Sequence, residues 1–261
     1  MLIRSLEALP ENLRGGAVSI GNFDGVHVGH VRVLERLVAQ ARRLGAPALV
    51  FTFDPAPAWV LDPVAAPRLL CWTERKAELL TQTGVDGVLA YPTTREFLRL
   101  EAGEFFWRWI VGQLKAKVLV EGGDFAFGRN RQAQKAQLET WCRQAGVLLE
   151  VVPPVEMEGR VVSSSWIRRL LVQGQVEKAA QLLGRPYRLR GRVVRGVGRG
   201  RQLGYPTANL QVERLLIPAE GIYAGRAWVG DQSWPAAVSL GANPTFGETE
   251  QKMEAFLIGF E

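Results

Sequence analysis

The chain has two histidines, His27 and His30, and both fall in one decapeptide, GNFDGVHVGH, from Gly21 to His30. Residues three apart share one face of a helix, so imidazoles at this spacing can reach a single group. The segment leaves the apolar run Ala17–Ile20, turns through Gly21 and Gly25, and enters a helical pattern near His27. A helix N-terminus offers unpaired N–H groups and the positive end of the peptide dipole, which suits phosphate oxygens. Glycine lets the backbone come close to such an anion. Two donors aimed at phosphate oxygens would stabilise the charge that builds as pyrophosphate leaves, with no covalent intermediate. The implied chemistry is transfer of an adenylyl group from ATP to a small phosphorylated acceptor. Gly21, Asn22, Phe23, Asp24 and Gly25 would form the phosphate loop, with His27 and His30 as the catalytic donors. A metal is the competing use of two histidines, but no third ligand stands nearby at zinc-like spacing.

A second candidate is basic. No carboxylate occurs from Lys178 through Val212, and Arg185, Arg188, Arg190, Arg192, Arg195, Arg199 and Arg201 lie within that stretch. It reads equally as a solvated face or as a phosphate-binding surface. Its glycines, Gly196, Gly198 and Gly200, do not sit between a strand and a helix, so a dinucleotide fingerprint fails its context test. The formal charge of +6 and pI near 9.7 point to anionic partners: nucleotides, phosphorylated metabolites or nucleic acid. No run of eighteen apolar residues is present, so no membrane span is expected. Glu7, Pro10 and Glu11 interrupt what a signal peptide would keep apolar, and Cys71 and Cys142 are lone thiols without CxxC spacing. A cytoplasmic protein is expected.

The elements that must position these residues follow from the apolar pattern. Ala17–Ile20 and Ala48–Phe53 read as buried strands, and Val28, Val31, Leu34, Leu37, Val38, Ala41 and Leu44 mark one face of the helix between them. A helix opens at Thr73 and closes at Gly84, and Gly87–Tyr91, Val118–Val120 and Val147–Val152 read as further strands. Glu104–Leu114 and Gln132–Ala145 are expected to be helical, as are Ser165–Gln173 and Val176–Leu183, which would close the first half. Such alternation predicts a doubly wound, Rossmann-like α/β domain over residues 1–184. From Arg185 on, Gly, Pro and β-branched residues alternate with polar ones, which predicts an all-β barrel over 185–261.

The decapeptide resembles the HxGH signature of the nucleotidyltransferase superfamily, in the form found in bacterial bifunctional riboflavin kinase/FMN adenylyltransferases (FAD synthetases). The resemblance continues through TFDPAP (Thr52–Pro57), EGGDFAFG (Glu121–Gly128), VSSSWIRRLL (Val162–Leu171) and LLGRPYRLRG (Leu182–Gly191). It then takes in GRGRQLGYPTANL (Gly198–Leu210) and GANPTFG (Gly241–Gly247). It implies that Ser164, Ser165 and Arg168 hold ATP phosphates and that Asp124 and Phe125 belong to the flavin and ATP pocket. Asp54 would hold Mg²⁺ or the flavin acceptor, or else is a turn aspartate before proline. Ala56 departs from the family's usual histidine, removing a phosphate contact, and RNRQAQK (Arg129–Lys135) lacks the usual Gly-Asp pair.

In the second half Thr207 and Asn209 resemble the Mg²⁺ ligands of the riboflavin kinase PTAN motif, next to a loop, Gly198, Arg199 and Gly200, that would wrap ATP phosphates. The base matches Glu254, ahead of Glu248 and Glu250; alternation of Glu254 with Phe256 suggests a strand at the barrel edge. Family members continue beyond the equivalent of Glu261, so a C-terminally incomplete barrel with a weak or absent kinase is expected. The resemblance thus implies FAD biosynthesis from riboflavin, FMN and ATP, with Mg²⁺ as cofactor and nucleotides and flavins as partners. Two other readings stay open: an adenylyltransferase with a docking β domain, and a basic nucleic-acid-binding protein, the less favoured.

Overall fold

Strands that are apolar on both faces require cover on both sides, and the helices between them supply it. The computed structural model describes residues 1–123, 135–196, 205–241 and 252–260. In chain order the first part comprises β1 (Leu2–Ile3), β2 (Ala17–Ile20), α1 (Val28–Leu44), β3 (Ala48–Asp54), α2 (Pro57–Leu61) and α3 (Thr73–Thr81). There follow β4 (Gly87–Pro92), α4 (Ala102–Glu104), a π-helix (Phe105–Gln113), β5 (Val118–Gly122), α5 (Lys135–Ala145) and β6 (Leu148–Val152). The six strands form one parallel sheet in the order β1-β4-β3-β2-β5-β6. The chain winds from β2 outward through β3 to β4, then restarts on the other side of β2 with β5. The sheet therefore switches direction between β2 and β5, and the crevice beyond the carboxyl ends at such a point is where open α/β sheets bind ligands.

Strand alternation divides the core in two. Leu49 and Phe51 of β3 face a cluster with Phe106, Ile110 and Leu138, whereas Ala48 and Val50 face one with Leu34, Leu37 and Leu80. Helix α1 buries Leu34 and Leu37 completely and ends at Gly45, whose left-handed φ of 59° returns its N–H to Ala41 and Arg42 carbonyls.

The stretch expected to be an α-helix from Glu104 to Leu114 is instead π-helical over most of its length. Leu114 N–H bonds back to Trp109 O, five residues earlier, at 2.8 Å. The widened turn lets residues four and five apart face the same way, so Phe105, Phe106, Trp109 and Ile110 are all buried. The helix expected from Gln132 is described from Lys135.

The chain then forms the hairpin β7 (Glu156–Met157) and β8 (Arg160–Val161), followed by α6 (Ser164–Val172) and α7 (Val176–Leu183). An antiparallel sheet completes it: β9 (Arg192–Val194), β10 (Thr207–Gln211), β11 (Gly221–Val229), β12 (Gln232–Gly241) and β13 (Lys252–Leu257), in the order β11-β12-β13-β10-β9. Two compact units result. One is Met1–Pro67 with Cys71–Ser164; the other is Arg68–Leu70 with Ser165–Glu261. Nearly all of α6, and α7, thus group with the β sheet, whereas the sequence pattern places them before a boundary at Arg185. Ala219 N–H bonds Leu171 O at 2.9 Å, and Leu69 joins Leu215 in a parallel bridge flanked by bonds to Arg214 O and from Leu216 N–H. These long-range ties have no periodic signature. Glu254 lies on β13, which is paired on both sides by β12 and β10, so it is on a central strand and not at an edge.

Candidate active sites

The loop after β2 stands at the switch point of the parallel sheet. His27 is the N-cap of α1, and its Nδ1 accepts the backbone N–H of His30 at 3.3 Å. An accepting Nδ1 leaves the proton of the neutral ring on Nε2. The two imidazoles stack with centroids 3.6 Å apart and planes at 17°, and Phe23 meets His30 edge-on at 5.3 Å. The sequence-predicted pair is therefore brought together, with Phe23 as its flank. Gly29, not singled out from the sequence, makes this possible: a Cβ there would lie 3.1 Å from Nδ1 and 3.2 Å from Cε1 of His27.

The loop itself is held in a costly shape. Phe23 (φ 45°) and the β-branched Val26 (φ 41°) are left-handed, as is Gly25 at 81°. For the non-glycine residues this costs about 1–3 kcal/mol each, and several anchors hold it. Phe23 and Val26 are buried, Gly25 N–H reaches Cys71 Sγ at 3.3 Å, and Asp24 Oδ1 accepts Cys71 N–H at 3.3 Å. Ser164 donates its hydroxyl to Asp24 O at 2.8 Å. Asp24 and Ser164, both expected at phosphate, thus shape the loop in this structure. Behind it Thr52 Oγ1 donates to Asn22 O at 3.3 Å and accepts from Lys76 Nζ at 3.4 Å. Glu121, also buried, accepts Ile20 N–H at 2.8 Å just past the β2–β5 ladder. Gly21 N–H continues the sheet to Phe51 O at 3.0 Å.

Asp54 ends β3 and pairs with Arg4 at 3.0 Å, whose other nitrogen meets Glu74 at 2.6 Å. On the opposite face of the same strand ends, Phe51, Phe53, Tyr91, Phe97, Phe105 and Trp109 form a continuous aromatic cluster with neighbouring centroids 4.7–6.3 Å apart. Burial raises the Tyr91 phenol above its ordinary value, with the charge of Glu7 adding to it. In the second unit Ser165 is exposed at the start of α6, and Arg168 Nε donates to Arg68 O at 2.8 Å. Asp124, Phe125, Gly198, Arg199 and Gly200 lie outside the described residues.

The antiparallel sheet assembles the second set. Register places Asn209 opposite Glu254 and Thr207 opposite Phe256, so the four share one face. Ser239 stands opposite Glu254 on the other side. Gly196, named from the sequence as part of the glycine-rich basic stretch, lies against this set: Asn209 Nδ2 is 2.1 Å from where its Cβ would be. Tyr205 packs edge-on to Phe256 at 5.5 Å.

The FAD synthetase family model matches residues 9–166 and the riboflavin kinase model residues 183–261. The bifunctional riboflavin kinase/FMN adenylyltransferase of Pseudomonas fluorescens is 38% identical over 260 residues, covering 99% of this chain and 83% of that protein. The enzymes of that description from Haemophilus influenzae and Escherichia coli K12 are 34% and 33% identical, over 99% and 98% of this chain and 84% and 83% of theirs. A solved structure described as a macrolide-efflux protein from Streptococcus pneumoniae superposes with a TM-score of 0.86 at 32% identity, covering 100% of this chain and 85% of that one. Among the described residues no helix is long and apolar enough to cross a membrane. These comparisons do not bear out the expected incompleteness of the β domain. With both family models matched in order and a third or more of its residues shared along nearly its whole length, the chain belongs to the bifunctional riboflavin kinase/FMN adenylyltransferases, the enzymes that make FMN and then FAD.

Proposed function

We propose that the loop Gly21–Gly25 with His27 and His30 is where FMN is adenylylated, and that Thr207, Asn209 and Glu254 are where riboflavin is phosphorylated. The observation that carries the first assignment is the stacked pair of imidazoles at the N-terminus of α1, at the sheet's switch point. In that reaction an FMN phosphate oxygen attacks the α-phosphorus of ATP, the bond to the β-phosphate bridging oxygen breaks, and pyrophosphate leaves. His27 Nε2–H and the His30 ring donate to phosphate oxygens as their charge grows, while the helix terminus supplies further N–H groups. The aromatic cluster around Tyr91 and Phe97 offers a planar apolar wall for a flavin ring.

In the kinase reaction a riboflavin hydroxyl attacks the γ-phosphorus of ATP. Glu254 accepts the hydroxyl proton, and Asn209 opposite it orients the reacting groups. Thr207 and Asn209 present hard oxygen donors one pleat apart, a set that suits Mg²⁺, which fills its other positions with water and phosphate oxygens. When bound, Mg²⁺ would neutralise charge on the transferring phosphoryl group.

Paired variants of the full chain test both assignments. His27→Ala with His30→Ala should lower FAD formation from FMN by about 100-fold or more while FMN still forms from riboflavin. Glu254→Gln should do the reverse. Double-histidine FAD synthesis within about tenfold of wild type, well short of the loss expected for even one such donor, would reject the loop as the site.

A further inference from the structure

Among the buried groups that this reading leaves unused, Lys76 is the most unusual. It lies on α3 with 5% of its surface exposed, and lysine is almost never this buried without a partner of opposite charge. Its acceptor here is neutral, the hydroxyl of Thr52, which is itself fully buried. Thr52 in turn donates to the carbonyl of Asn22. The three atoms form a directed relay: ammonium to hydroxyl to loop carbonyl. A lysine cannot accept, so its donation fixes the threonine proton toward Asn22. Among the described residues no carboxylate pairs with Lys76.

A cation kept in a dry interior without a counter-ion costs much unless something compensates it. The missing compensation lies one residue from a loop built for anions. From this geometry we infer that Lys76 is a positioning residue for adenylyl transfer: through Thr52 it fixes the carbonyl of Asn22 and lends uncompensated positive charge to the nucleotide loop. The inference rests on the loop being the nucleotide site. Bound triphosphate completes the charge balance that the described residues leave open, so Lys76 favours the loaded state without touching substrate. Thr52 and Lys76 lie on the α1 and α3 side of the sheet, away from the aromatic cluster, so the effect falls on ATP and not on the flavin.

The test uses four variants of the full chain, with riboflavin phosphorylation in the same preparation as an internal measure of folding. Lys76→Met and Thr52→Val should each lower kcat/KM of FMN adenylylation by about tenfold or more, a factor that corresponds to about 1.4 kcal/mol. The KM for ATP should rise while that for FMN stays unchanged. Thr52→Ser keeps the hydroxyl and should restore wild-type kinetics, which a purely packing role would not predict. If either single variant fails to fold, Lys76→Met with Thr52→Val removes both polar groups together and should fold, since replacing both partners by apolar groups can be nearly neutral. It should still show the ATP defect. Lys76→Met with wild-type KM for ATP, or a loss shared equally by both reactions, would overturn the inference. Wild-type FAD synthesis in the double-histidine variant would instead overturn the site reading beneath it.

Discussion

A single methyl group measures how tightly His27 is held. Adding one at Gly29 places carbon about 0.3 Å too close to the imidazole, within a helix that would otherwise gain about 0.5–1 kcal/mol from losing a glycine. Gly29→Ala should therefore leave the melting temperature equal or higher while slowing FAD formation by about tenfold, a partial version of the loss that follows from misplacing a catalytic group. Thermal melts and initial rates on one sample would separate the two effects. The histidines were legible because the chain has no others and because their spacing matches a helical turn. Gly29 was not, since its role is the absence of a side chain against a neighbour's ring. Lys76, Thr52, Cys71 and Glu121 escaped for a related reason: each acts on the loop from a distant part of the sequence, and no local pattern marks a buried polar contact. The place of Asp54 at a strand end is legible in the sequence, but its ion pair with Arg4, fifty residues away, is not.

At the level of elements, β2 and β5 share only two residue pairs before their ladder ends, and the Glu121 carboxylate takes up the next N–H of β2. Glu121→Ala strands a buried donor and should cost about 1–3 kcal/mol of stability in urea unfolding. Glu121→Gln keeps an oxygen in place and should retain most of that stability; equal losses for the two would refute the contact's importance. The main strands and α1 were readable because an apolar run or a helical stripe is what burial demands. The π-helix was not, because its pattern of aromatics also fits an α-helix until packing widens the turn. The two-residue strand β1 is too short to carry a period at all. The central position of β13 depends on β10 and β12 pairing with it, which alternation along one strand cannot reveal.

For the molecule as a whole, the proposed assignment gives each activity its own set of residues, so defects in the two should complement between chains. Glu254→Gln protein should make FAD only from supplied FMN, and the double-histidine protein should stop at FMN. Mixed, they should convert riboflavin to FAD, with free FMN passing from one to the other. Chromatography of the flavins decides this, and a mixture that halts at FMN would show that the sites cannot be separated. The order of the two family segments was legible in the motifs, but not the way the chain serves both units. Arg68–Leu70 lies far upstream, yet Leu69 pairs with Leu215 and accepts the N–H of Leu216. On the ribosome those three residues emerge before most of the first unit exists, and their partners only near the end. Contacts across such a span close late, because the entropy of the intervening chain must be overcome first. For this segment, synthesis and assembly run in opposite order: an early-made piece waits for the stretch between β10 and β11 to dock on it.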